Sequence, residues 1–340
     1  MKKNGLLTVI FIIGLLLTGC GNAEKEKENE AAEDTLQVFT TVYPLQYFTE
    51  RIGGEFVNVQ TIYPPGADEH TFEPSQKDMI KLANADLFTY VGLGLEGFVS
   101  KAESILEKED VVMLAAGENI QFEETQGVEN THEEHSEEEH YHEDESGHEH
   151  DGHEHDGHDH DGHDHGDIDP HVWLDPIYSK DLAAAIKDQL AELAPDHKSV
   201  FEQNLADLEK ELDELNSGFK EVTQSAAHKE IIVAHSAYGY WEERYGIEQI
   251  SISGLSTANE PSQKELQELI DHAKSSGLKY VLFEQNFNSK LGEAVQKELD
   301  AKALTLHNLS VLTEADIEQD ENYFSLMETN LETLDTALNK

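Results

Sequence analysis

The sequence predicts an α/β protein of two lobes, each a parallel sheet flanked by helices, joined by a long α-helix. Three observations predict it. Short β-rich runs alternate with amphipathic helical segments, the pattern of parallel sheets covered by helices. That order occurs twice, once on each side of a helical segment at 178–226. At 340 residues and 38% hydrophobic, the chain is long enough for two packed domains at roughly 150 residues each.

In the first half the strands read as LQVFTTVY (36–43), FVNVQTIYP (56–64), DLFTYVG (86–92) and VVMLAA (111–116). Between them lie a helical LQYFTERIGG, a helix opening at Ser75 and a helix near 97–108. The second half repeats the order: IIVAHS (231–236), IEQISISG (247–254), KYVLFEQN (279–286) and ALTLHNL (303–309) are strands. Its helices are YGYWEERYG, SQKELQELIDHAKSSG, SKLGEAVQKELD and a last one from about Asn322. Glu73-Pro74-Ser75-Gln76-Lys77 recurs as Glu260-Pro261-Ser262-Gln263-Lys264, each time with Ser three residues before an acid, Asp78 or Glu265. That spacing marks a reciprocal N-cap. Between the halves, Leu182, Ile186 and Leu190, then Phe201, Leu205, Leu208, Leu212, Leu215 and Phe219, recur at helical spacing with a break near Pro195. The second stretch, about 196–225, can join two lobes as one rigid rod. The expected divisions are therefore an N-terminal lobe over 36–177, the helical segment 178–226, and a C-terminal lobe over 227–340.

Charge narrows the partners. With 23 Lys+Arg against 71 Asp+Glu the net charge is −48, so phosphate backbones are repelled and cations attracted. Nucleic-acid binding is excluded. The one cysteine, Cys20, excludes intrachain disulfides and Cys-based zinc fingers.

Lys2 and Lys3 precede an apolar run of about a dozen residues, Leu6 to Leu17, short of the roughly 20 that a spanning helix needs. It reads as a signal peptide over 1–19. Leu17-Thr18-Gly19-Cys20 resembles the bacterial lipobox, which implies acylation of Cys20 and a tether at 20–35 outside the cytoplasmic membrane.

Residues 132–165 hold twelve of the nineteen histidines and fifteen acids, with no Lys or Arg. Such a tract cannot bury a core, so a disordered loop over 132–167 within the N-terminal lobe is expected. Imidazoles interleaved with carboxylates suit several weak zinc, copper or nickel sites.

Outside the tract lie His70, His171, His197, His228, His235, His272 and His307. Ligands in open α/β sheets bind beyond the carboxyl ends of strands. His70 follows the second strand, His235 ends a strand of the second half, and His171 sits in a Pro- and Trp-bearing segment at the junction. Three imidazoles converging in a cleft suit Zn²⁺. His197, His228 and His272 read as solvated, and His307 is left open.

PPGADEHTFEPS, DPHVWLDP, VAHSAYGYW, ISGLSTANEPS and FEQNFNSK, in that order, resemble the successive motifs of cluster A-I metal-binding receptors of bacterial ABC importers. The likeness is to the zinc-uptake lipoproteins with a His/acid-rich loop and runs from about Leu36 to the C-terminus. It implies a monomeric receptor with one metal in the interlobe cleft, ligands His70, His171 and His235, and delivery to a membrane permease. It implies no enzymatic activity. Manganese receptors of this class usually place a carboxylate where His235 stands, since a harder cation prefers oxygen. One departure is visible: many members supply an acid from the loop before the last helix, where this chain has Ser310. The fourth position is left to water, Glu69 or Glu284. Three rival readings fit less well. Three His and an open position also describe a secreted zinc hydrolase, but no H-E-x-x-H occurs. Gly92, Gly94 and Gly97 match G-x-G-x-x-G in form, but after the third strand of the lobe rather than the first. A surface adhesin, a label some relatives carry, has no encoded partner face here.

Overall fold

The computed structural model describes residues 35–122, 168–259, 261–286 and 289–340. The signal peptide, Cys20, nearly all of the tether, the His/acid-rich tract and Glu260 lie outside the described residues. Two four-stranded parallel sheets form the frame. The first contains β1 (Leu36–Thr40), β2 (Val57–Thr61), β3 (Leu87–Tyr90) and β4 (Val112–Ala115) in the order β2-β1-β3-β4. The second contains β5 (Glu230–His235), β6 (Glu248–Ser253), β7 (Tyr280–Phe283) and β8 (Lys302–Thr305) in the order β6-β5-β7-β8. The two orders are the same walk through each half. In each, the first strand lies between the second and third, so the connections leave it in opposite directions and open a crevice at its carboxyl end.

The helices between the strands are α1 (Tyr43–Gly53), α2 (Gln76–Leu82) and α3 (Val99–Leu106) in the first lobe. Then come α4 (Pro176–Leu193) and the long α5 (Lys198–Gln224). The second lobe has α6 (Gly239–Tyr245), α7 (Gln263–Ser276), α8 (Lys290–Leu299), the one-turn α9 (Glu314–Glu318) and α10 (Tyr323–Asn339). Ser75 and Ser262 cap α2 and α7 in reciprocal boxes with Asp78 and Glu265, as the spacing requires. None of the described helices is long and apolar enough to cross a membrane.

Helix α5 explains how the lobes share one core. Its buried stripe, Phe201, Leu205, Leu208, Leu212, Leu215 and Phe219, follows the periodicity read from the sequence. It packs on α1 and α4 at one end and on α6 and α10 at the other. One apolar cluster therefore runs through both halves, while a smaller one (Ile232, Ile252, Ile270, Ala273, Val281, Val295) belongs to the second lobe alone. Phe219 lies between the rings of Trp241 and Tyr245, at centroid distances of 4.8 and 5.2 Å, where truncation to Ala costs roughly 3–5 kcal/mol. A helix packed in this way is a spacer rather than a loose hinge.

Several boundaries differ from the sequence reading. The first strand ends at Thr40, because the chain turns and Tyr43 donates its N–H to the Ser310 carbonyl (2.8 Å), opening α1 with Pro44 in its first turn. The last strand ends at Thr305 rather than 309. Residues 306–311 leave the sheet, Leu309 takes a left-handed φ of 59°, and the apolar alternation there packs a turn. His197, read as solvated, stacks on Phe56 at 3.7 Å between centroids.

The glycine-rich stretch after β3 has its own occupant. Gly92 (φ 77°), Leu93 (φ 55°) and Gly94 (φ 83°) curl the chain so that the Val91 and Gly92 N–H groups donate to Glu96, at 2.8 and 3.0 Å. Thr41 Oγ1 donates to the same carboxylate at 2.7 Å. The donors that would face a pyrophosphate in a dinucleotide fold are spent on an internal carboxyl group.

Candidate metal centre

His235 is the last residue of β5, at the crevice of the second sheet, and is fully buried. Its Nδ1 faces Glu284 Oε1 at 2.6 Å, just beyond β7. A carboxylate accepts only, so Nδ1 carries the proton and Nε2 presents its lone pair. That Nε2 is buried and has no hydrogen-bond partner among the described residues.

His171 opens a single 3₁₀ turn, Val172–Leu174, and is also fully buried. Asp169 Oδ1 accepts both its backbone N–H (2.9 Å) and its Nδ1–H (2.7 Å), fixing the ring with Nε2 inward. Trp173 beneath it donates Nε1–H to the Asn308 carbonyl, and Trp241 donates to the Leu174 carbonyl, each at 2.7 Å. Asp175 caps α4 and pairs with Arg244. The Pro- and Trp-bearing segment is thus bolted to the C-terminal lobe through Asn308, Trp241 and Arg244.

His70 lies in the loop after β2, its backbone N–H donating to Asp68 Oδ1 at 2.9 Å. Its Nε2 stands 3.3 Å from His171 Nε2. One ligand nitrogen from each of the three rings lies within 4.8 Å of the others. Two nitrogens bound tetrahedrally at 2.0–2.1 Å stand about 3.4 Å apart, so the His70–His171 pair already matches a zinc ion's spacing.

The electrostatics divide the rings. Burial, then the neighbouring His171 and His235, holds His70 down at about 3, so its ring is neutral throughout the physiological range. For His235, burial works to lower the pKa, but the charge and hydrogen bond of Glu284, with Glu69 and Asp169, outweigh it and the net shift is upward. Burial raises Glu69, and the Glu284 charge raises it further.

The structure brings together His70, His171 and His235 and leaves the other four described histidines elsewhere. His307 accepts the Leu309 N–H and faces Asp316, His272 pairs with Glu230 at the surface, His197 stacks on Phe56, and His228 is exposed. Of the candidates for a fourth position, Glu284 is turned to the outer nitrogen of His235. Glu69 Oε1 lies 3.9 Å from His70 Nε2, and Ser310 Oγ donates to Glu69 Oε2 at 2.8 Å. Sequence reasoning missed Asp169 and Asn308. Asp169 had a local signal, an Asp two residues before a His. Asn308, which donates to both Glu69 (3.0 Å) and Glu284 (3.2 Å), had none.

A two-lobed α/β protein with a three-imidazole cluster in the cleft, two of its rings fully buried, has the form of a class of proteins with a cleft that could hold a metal ion. Residues 38–337 match the family model described as ZnuA, zinc-uptake complex component A periplasmic, and the chain belongs to that family. It is 33% identical over 343 residues to the zinc-binding lipoprotein AdcA of Streptococcus pneumoniae, covering 98% of this chain and 60% of that protein. The chain thus spans about 60% of the length of that relative. It is 32% identical over 337 residues to the high-affinity zinc uptake system protein ZnuA of Bacillus subtilis, covering 99% and 98%. Among solved structures, the Zn(II)-bound ZnuA-like domain of Streptococcus pneumoniae AdcA superposes with a TM-score of 0.68 at 30% identity, over 90% of this chain and all of that domain.

Proposed function

We propose that this chain is an extracytoplasmic zinc receptor that captures Zn²⁺ through His70, His171 and His235 and hands it to an ABC permease, held at the membrane by a lipid on Cys20. The observation that carries this reading is the pair of buried imidazoles whose outer nitrogens are occupied by Asp169 and Glu284 while their inner nitrogens face His70. Three imidazoles form a nitrogen site, which favours zinc over manganese. The kinship with proteins named for zinc binding and zinc uptake supports the same cargo. Complete burial of two of the three rings supports storage of the ion and argues against hydrolysis, which must admit a substrate.

Capture follows from these residues. Asp169 and Glu284 hold the rings of His171 and His235 by their outer nitrogens, so binding needs neither ring to turn. His70, neutral and on a loop from the opposite lobe, completes the set, and the fourth position falls to water or to Glu69. Chelator-competition titration of the protein with zinc and manganese tests the reading. One tight zinc equivalent that manganese does not displace is expected. Tight manganese binding, or zinc binding indifferent to substitution of all three histidines, overturns it.

A further inference from the structure

We infer that residues 66–69 form a strap across the cleft, and that Thr257 and Ser310 of the C-terminal lobe are positioning residues that set how long zinc stays bound; this rests on the zinc-receptor reading. Four consecutive residues leading into His70 are each tied to the opposite lobe. The Gly66 N–H donates to the Leu312 carbonyl at 3.1 Å. Asn286 Nδ2 donates to the Ala67 carbonyl at 2.8 Å. Thr257 Oγ1 donates to Asp68 Oδ2 at 2.8 Å. Asn308 Nδ2 and Ser310 Oγ donate to the two oxygens of Glu69 at 3.0 and 2.8 Å.

The row reaches the imidazoles from both ends. Asp68 receives Thr257 on one oxygen and the His70 N–H on the other, so a C-terminal-lobe hydroxyl fixes the carboxylate that fixes His70. Asn308 donates from one amide nitrogen to Glu69 and to Glu284, and Glu284 holds His235. Strap and inner ligand share one support. Separation of the lobes to release the ion must break this row together with the bond to His70. Three of its hydrogen bonds end on carboxylates, the stronger kind. None of the donors is an imidazole, and neither Thr257 nor Ser310 offers zinc a good ligand. Their effect therefore falls on retention rather than on the chemistry of coordination.

Zinc-loaded protein mixed with excess chelator in a stopped-flow instrument tests this, with Thr257→Val, Thr257→Ser and Ser310→Ala beside the unmodified chain. Loss of a hydrogen bond to a charged group corresponds to about a tenfold change, so Thr257→Val and Ser310→Ala are expected to release zinc roughly ten times faster. Their association rates stay within about twofold, the usual division for related complexes. Thr257→Ser, which keeps the hydroxyl, releases at the unmodified rate. Unchanged release in Thr257→Val, or Thr257→Ser releasing as fast as Thr257→Val, overturns the strap. His70→Ala separates the two levels. If it weakens zinc binding while Thr257→Val leaves release unchanged, only the strap fails; if it leaves binding intact, the site reading fails and the strap with it.

Discussion

The two sides of the cleft hold their imidazoles by different means. His171 and His235 are fully buried, each with a carboxylate on its outer nitrogen, on segments locked into the shared core. His70 is only partly enclosed, and what fixes it is its backbone N–H on Asp68. Two of the imidazoles are thus pre-aimed by side-chain chemistry and the third by the path of a loop. On the proposed reading, a receptor must both capture and release. Rigid aim on one side supplies capture without reorganisation, and a ligand delivered by a strap supplies a route of release that leaves the other two intact.

That contrast is broken most severely by removing a ligand. His171→Ala or His235→Ala is expected to weaken zinc binding by at least about 100-fold in chelator competition, since each removes a pre-aimed nitrogen and a hydrogen bond of its supporting carboxylate. His70→Ala weakens binding too, but it leaves the two pre-aimed rings in place. Equal losses at all three positions, with equal losses of thermal stability, would erase the distinction between the sides.

The supporting carboxylates come next. Asp169→Asn and Glu284→Gln are expected to cost 10–100-fold in zinc affinity, the usual range for groups that orient a liganding imidazole. The cause is specific: an amide nitrogen opposite Nδ1 drives the proton toward Nε2, where the ion must bind. Crystal structures of the variants would show the ring turned or the amide flipped. Affinity within about twofold of the unmodified protein would mean that packing alone aims the rings.

Much of this arrangement is legible in the sequence, and the division follows the range of the interactions. The doubled β-α order, the caps at Ser75 and Ser262 and the stripe from Phe201 to Phe219 are local patterns, and each maps onto an element. His70 and His235 are legible because strand ends are where α/β folds place ligands. Thr257 and Asn308 are not. They meet Asp68 and Glu69 across 189 and 239 residues of chain, and nothing near them in sequence marks the encounter. The misplaced end of β8 has the same origin. Leu306 continues the strand-like alternation from Leu304, but it and Leu309 are buried by a turn that forms to deliver Asn308 and Ser310 to the cleft.

Acid sharpens the contrast with a smaller effect. Liganding imidazoles must be deprotonated, so each proton that enters the site opposes zinc. His235, raised by Glu284 after the opposing effect of burial, binds a proton as pH falls through its elevated pKa. His70, held at about 3, binds none in that range. Zinc affinity is therefore expected to fall between pH 7.5 and 5.5, approaching about tenfold per unit below the His235 pKa. Glu284→Gln removes the charge that raises it and moves the decline to lower pH. His70→Ala weakens binding without altering the slope. Affinity that does not change across this interval would remove His235 from the site.

The smallest expected effect concerns the His/acid-rich tract, which lies outside the described residues and whose composition suits several weak metal sites. The described cluster draws all three imidazoles from outside that tract. Deleting 132–165 is therefore expected to change the tight zinc constant by less than about twofold while lowering the number of weak equivalents in equilibrium dialysis. The deletion also carries away fifteen acids without a single base, so it takes 15 from the net charge of −48 and leaves −33. Long-range attraction to cations weakens accordingly, most at low ionic strength, where screening is least. A slower zinc association rate at low salt, converging with the full chain as salt rises, would show the tract acting through its field. Loss of the tight equivalent itself would instead place a primary ligand in the tract and dissolve the comparison of the two cleft walls.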